Sequence, residues 1–490
     1  MLKSKKRFFW GALVAFMLGV IVLILFGFAF RPDRFVYDSA YYWELAHQFT
    51  DEQGHLTWMA YPESFRGYVF PGFLFLSRVM SHWMGWADEV GFVVWAALFI
   101  SFVVTIVLPH LLSWQESSRF DFLKRLAPLV LILIFWRGLV LYPLSDFYSL
   151  GFTLIACALF KWLYGQRRSW WQGIPAAMAI GVFLYAAYNT RTIYLFALVV
   201  FAILLAVRIV REGLPDLGKN ALWLVCIAVG WFLLAAPQML INHHHLGIWS
   251  FGVDTSMVDS SGLFSAQLYA GLICDRYDTL IKPNDFENAA ALRFEDLVGW
   301  QILNTTGGYR ICSIAEYFGL VFSHPLEVAG IYFRHVANLL NPVYGEMYIK
   351  DLHQIKLPYS IVNYVLMTLT YLGALQVFSM EYFGERNAPD GTVKKRFLLR
   401  KFLQDTALWW TIIFPCLTII PGQPEIRFFF PVYLCMYAFL TFRCPWKNVT
   451  LYLRQHPVKT AFFALAGLVV LASVWSATFA KAQVTVDLFL

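Results

Sequence analysis

Charged residues are scarce in this chain of 490 residues. They make up 14% of the sequence, whereas an average soluble protein has about 25%. Apolar residues make up 59%, and the 46 Phe, 25 Tyr and 19 Trp favour buried or interfacial positions. Too few charges remain to coat a soluble protein of this mass or to keep a chain disordered. The composition therefore predicts a polytopic membrane protein.

Cysteine is also rare, with seven residues, which excludes a secreted domain held together by disulfides. Cys274 and Cys312 could still pair if both lie in an oxidising compartment. The chain has no internal repeat, low-complexity tract or Gly/Ser linker. No basic cluster suggests nucleic acid, and no residues show the spacing of a metal site. We therefore expect no cofactor, although a divalent metal stays open.

Eleven apolar runs are candidates for membrane-spanning helices, which need about 20 residues each. The first run follows a basic N-terminus, but it is 23 residues long and lacks a small-x-small cleavage site, so we expect an uncleaved anchor. The predicted fold is an all-α polytopic membrane protein with about 11 transmembrane helices. The runs are 8–30, 90–113, 127–144, 147–164, 173–190, 192–208, 220–241, 359–380, 406–421, 428–442 and 460–480.

Basic residues mark the cytoplasmic side of a membrane protein. With the N-terminus inside, the predicted internal segments hold 23 of the 38 Lys and Arg residues and only 8 of the 31 acidic residues. We therefore expect a cytoplasmic N-terminus and an external face that carries most of the acidic residues.

The polar mass of the external side falls in two segments, the second of them between the predicted spans 7 and 8. The stretches 65–86 and 325–345 within these segments are apolar but interrupted by charges, which predicts amphipathic helices rather than spans. The predicted parts are a membrane module over 1–241 with its first external loop over 31–89, a long external segment over 242–358 that covers a substrate cavity, and C-terminal membrane helices over 359–490.

An acidic residue, Asp38, follows the first apolar run closely. Ionisable groups at the end of a span are costly to place, so each is a functional candidate. From Ser39 onward the pattern is helical, which puts Asp38 near a helix N-terminus. One interpretation is a helix cap. The other is a catalytic base at the mouth of a cavity.

This arrangement, one span followed by an acidic residue in a helix rich in Tyr, Trp and Ala, resembles the GT-C glycosyltransferases. Later elements are similar to that superfamily in order and topology, and the resemblance covers most of 1–440 without reaching 250–358. These elements are a short acidic loop over 142–150 with Asp146, the lone Arg191 between two spans, an exit into the external segment over 231–247, and a loop over 424–431 with Glu425 and Arg427.

The resemblance implies an integral membrane enzyme that moves a sugar from a polyprenyl-phosphate carrier to a glycan or glycolipid acceptor on the outer face. It implies Asp38 as the catalytic base. Many relatives have an acidic pair at this point, whereas Ser39 follows Asp38 here. Four other external acidic residues therefore remain rivals for the base: Asp33, Glu44, Asp51 and Glu63.

Among GT-C proteins, the chain is most similar to bacterial enzymes that decorate lipopolysaccharide O-antigen with glucose, including the serotype-converting type. That similarity implies an inverting displacement, the bacterial inner membrane and a periplasmic active site. We expect a monomer.

The chemistry of such a reaction suggests the other site residues. A base must lie near the acceptor hydroxyl, and the departing lipid phosphate needs charge stabilisation, which arginine supplies. The alternative for Arg427 is a local ion pair with Glu425. The predicted substrate-binding residues are Asp146, Arg191, Arg427, Glu425, Arg66, Tyr41 and Tyr42.

Two other functions remain open. A transporter or flippase would show repeated halves and charges near the midplane, whereas here the charges gather at the ends of the spans. An O-antigen polymerase or ligase would also bind lipid-linked sugars on the outer face, and only the Asp38 element favours the GT-C interpretation over it.

Overall fold

The computed structural model describes residues 2–50, 53, 55–62, 64–112, 121–165, 169–212, 217–255, 262–282, 285–305, 313–387, 393–397 and 406–486. These residues are mostly helical, with several long apolar helices, and the chain is a multi-pass membrane protein. The α-helices are α1 (Leu2–Phe30), α2 (Asp38–Leu45), α3 (Val69–Met84), α4 (Asp88–Phe102), α5 (Leu108–Leu111), α6 (Ala127–Phe135), α7 (Gly138–Leu141), α8 (Ser145–Gly165), α9 (Ile174–Thr190), α10 (Leu195–Glu212), α11 (Leu217–Leu246), α12 (Leu263–Ile273), α13 (Leu297–Thr305), α14 (Ile314–Ser323), α15 (Pro325–Leu339), α16 (Leu357–Tyr382), α17 (Trp410–Ile419), α18 (Phe430–Phe442), α19 (Trp446–Gln455) and α20 (Pro457–Phe479). The strands are β1 (Cys274–Lys282), β2 (Asp285–Glu295), β3 (Tyr348–Ile349), β4 (Phe383–Asn387), β5 (Val393–Phe397) and β6 (Ala482–Val486).

Seven helical stretches of the described chain are long and apolar enough to cross a membrane. The bent pair Ile426–Phe442 and Trp446–Gln455, with 91° between its helices, counts as an eighth if it forms one broken span. The seven are Trp10–Phe30, Asp88–Leu111, Ser145–Tyr164, Thr192–Val210, Leu217–Leu246, Leu357–Glu381 and Pro457–Phe479.

Four of the eleven predicted runs form shorter or interrupted helices. The run 127–144 is divided between α6 and α7. Its break falls at Trp136, which is 2% exposed and donates its indole N–H to the Tyr437 hydroxyl at 3.1 Å. Irregular backbone at membrane depth is tolerated where protein rather than lipid surrounds it. The other three runs correspond to α9 with 17 residues, α17 with 10 and α18 with 13.

A small β-sheet, which the all-α prediction did not include, joins parts of the chain that are far apart in sequence. Its strand order is β3-β1-β2-β6, with β1 parallel to β3 and antiparallel to β2. Strand β6 follows the last helix and pairs with β2. The end of α20 and the segment between α11 and α16 therefore lie on the same side of the protein. Strands β4 and β5 form a separate hairpin.

Two glycines allow α9 and α11 to pack closely. A Cβ added to Gly181 would collide with the backbone of Ile227, and one added to Gly230 would collide with the backbone of Met178. Small residues allow such close approach of helices in membranes. This packing fixes the end of α9, where Arg191 follows.

The two predicted amphipathic stretches are helical. In α3 the residues Phe70, Leu74, Ser77 and Ser81 are buried along one face. In α15 the buried residues include Val328, Ile331 and His335.

Candidate functional site

Asp38 is the first residue of α2, and its carboxylate binds two arginines instead of capping the helix. One oxygen accepts a hydrogen bond from Arg66 Nη2 at 2.9 Å, and the other accepts one from Arg427 Nη2 at 2.6 Å. The side chain of Asp38 is 17% exposed. It is therefore enclosed by its partners but still accessible from the solvent.

The backbone just before Asp38 is strained. Tyr37 has a φ of 52°, a left-handed conformation that bulky residues rarely adopt and that costs about 1–3 kcal/mol. The hydroxyl of Tyr37 lies 3.1 Å from that of Tyr277 on β1. A second tyrosine, Tyr348 on β3, accepts a hydrogen bond from the backbone N–H of Ser39 at 3.4 Å. The sheet thus contacts the start of α2 at two points.

Arg427 is shared between two carboxylates. Besides Asp38, it pairs with Glu425, whose Oε1 lies 2.5 Å from Arg427 Nε. Both side chains of this second pair are 9% exposed. The local ion pair anticipated as the alternative for Arg427 is therefore present, and the same guanidinium also reaches Asp38.

The two carboxylates on Arg427 differ in proton affinity. Burial alone would raise the pKa of Asp38, but the guanidinium groups of Arg427 and Arg66 outweigh it and lower this pKa to about 2. Burial raises the pKa of Glu425 to about 7, because Arg427 only partly offsets it and the negative charge of Asp38 adds to it. Near neutral pH Asp38 is therefore ionised, whereas Glu425 is present in both its protonated and its ionised form.

A second ion pair joins α8 to the end of α9. Asp146, in the first turn of α8, binds Arg191, whose backbone is extended where α9 ends. The Arg191 guanidinium lies over the Phe428 ring at 4.3 Å, and that of Arg427 lies 5.3 Å from the same ring. Phe428 therefore contacts both arginines and connects the two ion pairs.

Arg191 and Arg427 border a common small cavity. One part of its lining is polar and charged, and the rest is apolar and comes from α17, α18 and the turn before α10. The lining residues are Asp146, Arg191, Ile193, Tyr194, Pro415, Cys416, Ile419, Arg427, Phe428 and Pro431.

Arg66 and the two predicted tyrosines border Asp38 on its other side. The Arg66 guanidinium lies 5.2 Å from the ring centre of Tyr42, whose hydroxyl donates to Ser145 Oγ at 3.0 Å. Tyr41 stacks on Phe65 at 5.5 Å. The structure thus brings all eight predicted site residues into one connected cluster, while their roles remain predictions.

The two rival carboxylates that the structure describes do not share this position. Asp33 and Glu44 are exposed to solvent. Asp51 and Glu63 lie outside the described residues. The open question of a Cys274–Cys312 disulfide also lies partly outside them: Cys312 is not described, and Cys274 is buried with its thiol donating to the Arg276 carbonyl at 2.8 Å.

Three contributors to the site were not predicted from the sequence. Tyr277 and Tyr348 come from the sheet, and no local pattern marks either of them. Phe428 directly follows Arg427 in the 424–431 element. Its place beside this arginine is the one sequence feature that could have marked it as a site residue.

Comparison of the chain with protein-family models, curated proteins and solved structures gives no match. The cluster itself is therefore the basis for any functional assignment. Within the described ranges, no group of three or more His, Cys, Asp or Glu residues could hold a metal ion. The chemistry available to the described site is that of arginine, carboxylate and hydroxyl groups.

Proposed function

We propose that this chain is a membrane glycosyltransferase with a GT-C-like fold. It would move a hexose from a polyprenyl-phosphate carrier to a hydroxyl of a cell-envelope glycan. The observation that carries the proposal is the position of Arg427, which borders the cavity together with Arg191 and also holds Asp38. One cation thereby links an anion-binding cavity to a candidate base.

The cavity suits a lipid phosphate in both charge and polarity. Arginine binds phosphate oxygens through paired, charge-assisted hydrogen bonds, and Arg191 and Arg427 flank one aromatic ring. Ile193, Ile419 and Pro415 supply an apolar wall beside them. An isoprenoid chain attached to the phosphate would lie along that wall.

The transfer exchanges one bond for another at the anomeric carbon. The acceptor hydroxyl oxygen forms a bond to this carbon, and the bond from the carbon to the phosphate oxygen breaks. Its electron pair stays on the phosphate, where the guanidinium groups of Arg191 and Arg427 stabilise the charge that develops. The hydroxyl proton passes to Asp38.

The low pKa of Asp38 makes it a weak base while both arginines hold it. Arg427 is the leading cause of that lowering. When phosphate oxygens take over N–H groups of Arg427, Asp38 loses part of the positive charge that lowers its pKa. Its proton affinity then rises towards the range useful for a general base. Donor binding would thus prepare the base.

The cellular setting follows from the same proposal. A lipid-phosphate donor is used where cytosolic nucleotide sugars are absent, so the site would face the outer side of the bacterial inner membrane. Glucose as the sugar and O-antigen as the acceptor remain the narrowest form of the proposal, supported by the sequence resemblance.

Transfer assays test the proposal directly. The purified full-length chain is reconstituted in liposomes. It is then incubated with lipopolysaccharide and with polyprenyl-phosphate glucose that carries a label in its sugar. We expect label in the glycan and release of polyprenyl phosphate. A flippase would move the intact donor across the bilayer without breaking it, and a polymerase or ligase would instead consume a diphosphate-linked oligosaccharide. Either result would overturn the proposal.

A further inference from the structure

The helix α19 turns sharply away from the helix before it. Its axis lies at 91° to that of the helical stretch Ile426–Phe442. Only the segment 443–445 separates α18 from α19, and only His456 separates α19 from α20, which is one of the seven candidate spans. Such short connections keep α19 close to the ends of its neighbours, because each residue reaches at most about 3.6 Å. The helix therefore lies either along the membrane surface or inside the membrane, as the second half of a broken span.

Contacts on one side of α19 fix its orientation. Val449 is 1% exposed and packs against the protein. The indole N–H of Trp446 donates to the carbonyl of Leu440, in the last turn of α18, at 3.0 Å. The side-chain amide of Asn448 donates to Met380 Sδ, near the end of α16, at 2.9 Å. The sharp bend is thus held by packing and hydrogen bonds, and the opposite face of α19 is left open.

The open face of α19 carries basic and apolar side chains together. Lys447 and Arg454 are exposed, and Leu451, which is 55% exposed, lies between them on the same side of the helix. Trp446 is 46% exposed at the edge of this face. The sequence from 426 to 486 contains no Asp or Glu. The segment around α19 is therefore purely basic.

This pattern favours a position along the membrane surface. A broken span would carry Lys447 and Arg454 into the hydrocarbon, where each charge is costly to place. A surface helix leaves both cations at the level of the lipid phosphates and Trp446 at the depth that tryptophan favours. The stretch Ile426–Phe442 can cross the membrane without α19, since it reaches the lower limit of about 17 residues for a spanning helix.

We propose that α19 lies along the membrane surface and binds the headgroups of anionic phospholipids through Lys447 and Arg454. Leu451 and Trp446 enter the adjoining apolar layer, as the apolar side chains of interfacial helices do. Arg427 precedes α18 and α19 follows it, so this surface lies at the other end of α18 from the proposed active site. Basic segments mark the cytoplasmic side of a membrane, so these lipids belong to the cytoplasmic leaflet.

Spin-label EPR can locate α19 in the full-length chain reconstituted into vesicles of phosphatidylcholine and phosphatidylglycerol. A label on Leu451→Cys should be accessible both to oxygen, which concentrates in the bilayer, and to a water-soluble nickel complex, because the headgroup layer adjoins both phases. Val469→Cys in α20, at a position 54% exposed, marks the bilayer interior. The unsubstituted chain gives the background from native cysteines.

Two EPR results would overturn the surface position. A label at position 451 that is protected from nickel as strongly as one at position 469 would show a broken span. A label at position 451 that nickel reaches but oxygen does not would place the helix in water.

Lipid competition tests the headgroup binding. The full-length chain in a neutral detergent is titrated with a fluorescent phosphatidylglycerol, and unlabelled phosphatidylglycerol, phosphatidylcholine and glycerol phosphate compete with it. We expect phosphatidylglycerol to compete at least tenfold better than the other two. Replacing both basic residues, Lys447→Gln with Arg454→Gln, should weaken its binding about tenfold or more, since each basic residue near an anionic membrane contributes about fivefold.

The matched control removes two exposed basic residues elsewhere, Arg31→Gln with Lys350→Gln. This control should bind phosphatidylglycerol as the wild type does. Equal affinity in the α19 variant and the wild type, or an equal loss in both double variants, would remove α19 as the binding surface. Competition by glycerol phosphate as strong as that by phosphatidylglycerol would show a site for free phosphate, which contradicts a lipid-binding surface.

Discussion

Arg427 Nη2 lies 2.6 Å from Asp38 Oδ2, although 389 positions separate the two residues in the chain. Because Arg427 also pairs with Glu425, one guanidinium joins the start of α2 to the loop before α18. The same group borders the cavity proposed for the lipid phosphate. The predictions below follow from this shared cation and from the elements that position it.

Loss of the Asp38 carboxylate should abolish most sugar transfer. Asp38→Asn keeps the shape of the side chain but removes the charge and the proton acceptor, and general bases contribute about 10²–10⁴-fold to rates. The measurement is kcat for transfer from a polyprenyl-phosphate hexose in liposomes. Asp33→Asn, an exposed residue of the same segment, is the control. A fully active Asp38→Asn protein that inserts normally would rule out Asp38 as the base.

Replacement of Arg427 should weaken donor binding. Arg427→Lys keeps the charge but loses the planar fork that binds phosphate oxygens in pairs. A charged hydrogen bond is worth about 1.5–3 kcal/mol, so we expect polyprenyl phosphate to bind about tenfold to hundredfold more weakly. Arg443→Lys is the control, because Arg443 pairs with Glu381 instead. Equal affinity in the Arg427 and Arg443 variants would remove Arg427 from the phosphate site.

Donor binding should depend on pH through Glu425. The cluster contains three arginines (Arg66, Arg191 and Arg427) and the carboxylates of Asp38, Asp146 and Glu425. Burial raises the pKa of Glu425 to about 7. Below this pH Glu425 is protonated and neutral, and the cluster therefore carries one excess positive charge. As pH rises through 7, that excess is lost, and affinity for an anionic donor should fall.

Glu425→Gln provides the control for this pH dependence. The probe is a polyprenyl-phosphate hexose, because the charge of its phosphodiester does not change over the neutral range. The variant should keep high affinity on both sides of pH 7. A variant that follows the same pH profile as the wild type would show that another group titrates.

A methyl group at Gly67, which is not itself a site residue, should displace the end of α9 and with it Arg191. A Cβ at this position would collide with the backbone and side chain of Asn189, near the end of α9 that carries Arg191. We expect Gly67→Ala to lower both transfer activity and the melting temperature in detergent. Gly319→Ala is the matched control, because an added Cβ there meets no atom within 4 Å apart from its chain neighbours and its own helix backbone. Normal activity in Gly67→Ala would show that the close contact between residue 67 and Asn189 can relax to make room for the methyl group.

Arg276 should be important for the stability of the sheet against the helices. Its side chain is 2% exposed, pairs with Asp278 and donates to the carbonyls of Asn338 and Asn341. Arg276→Met leaves a buried carboxylate without its partner, which costs about 3–5 kcal/mol. We expect a large fall in the detergent melting temperature, whereas Lys350→Met at an exposed position should change little. A melting temperature equal to that of the wild type would show that Asp278 finds another partner or a proton.

The sequence determined the class of the protein and the elements of its site. Scarcity of charge and long apolar runs suffice for a multi-pass helical membrane protein, because each spanning helix satisfies its own backbone hydrogen bonds locally. The resemblance to a known superfamily also marked the short segments around Asp38, Asp146, Arg191 and Arg427. Each of these segments is a local pattern.

The tertiary structure alone decided how those segments meet. The pairing of Asp38 with Arg427, the contact of Tyr348 with α2 and the pairing of β2 with β6 all join distant parts of the chain. No local periodicity encodes such contacts, since they depend on which buried surfaces pack together. For the same reason the run 127–144 looks like one span in sequence, but protein packing around Trp136 lets its helix break.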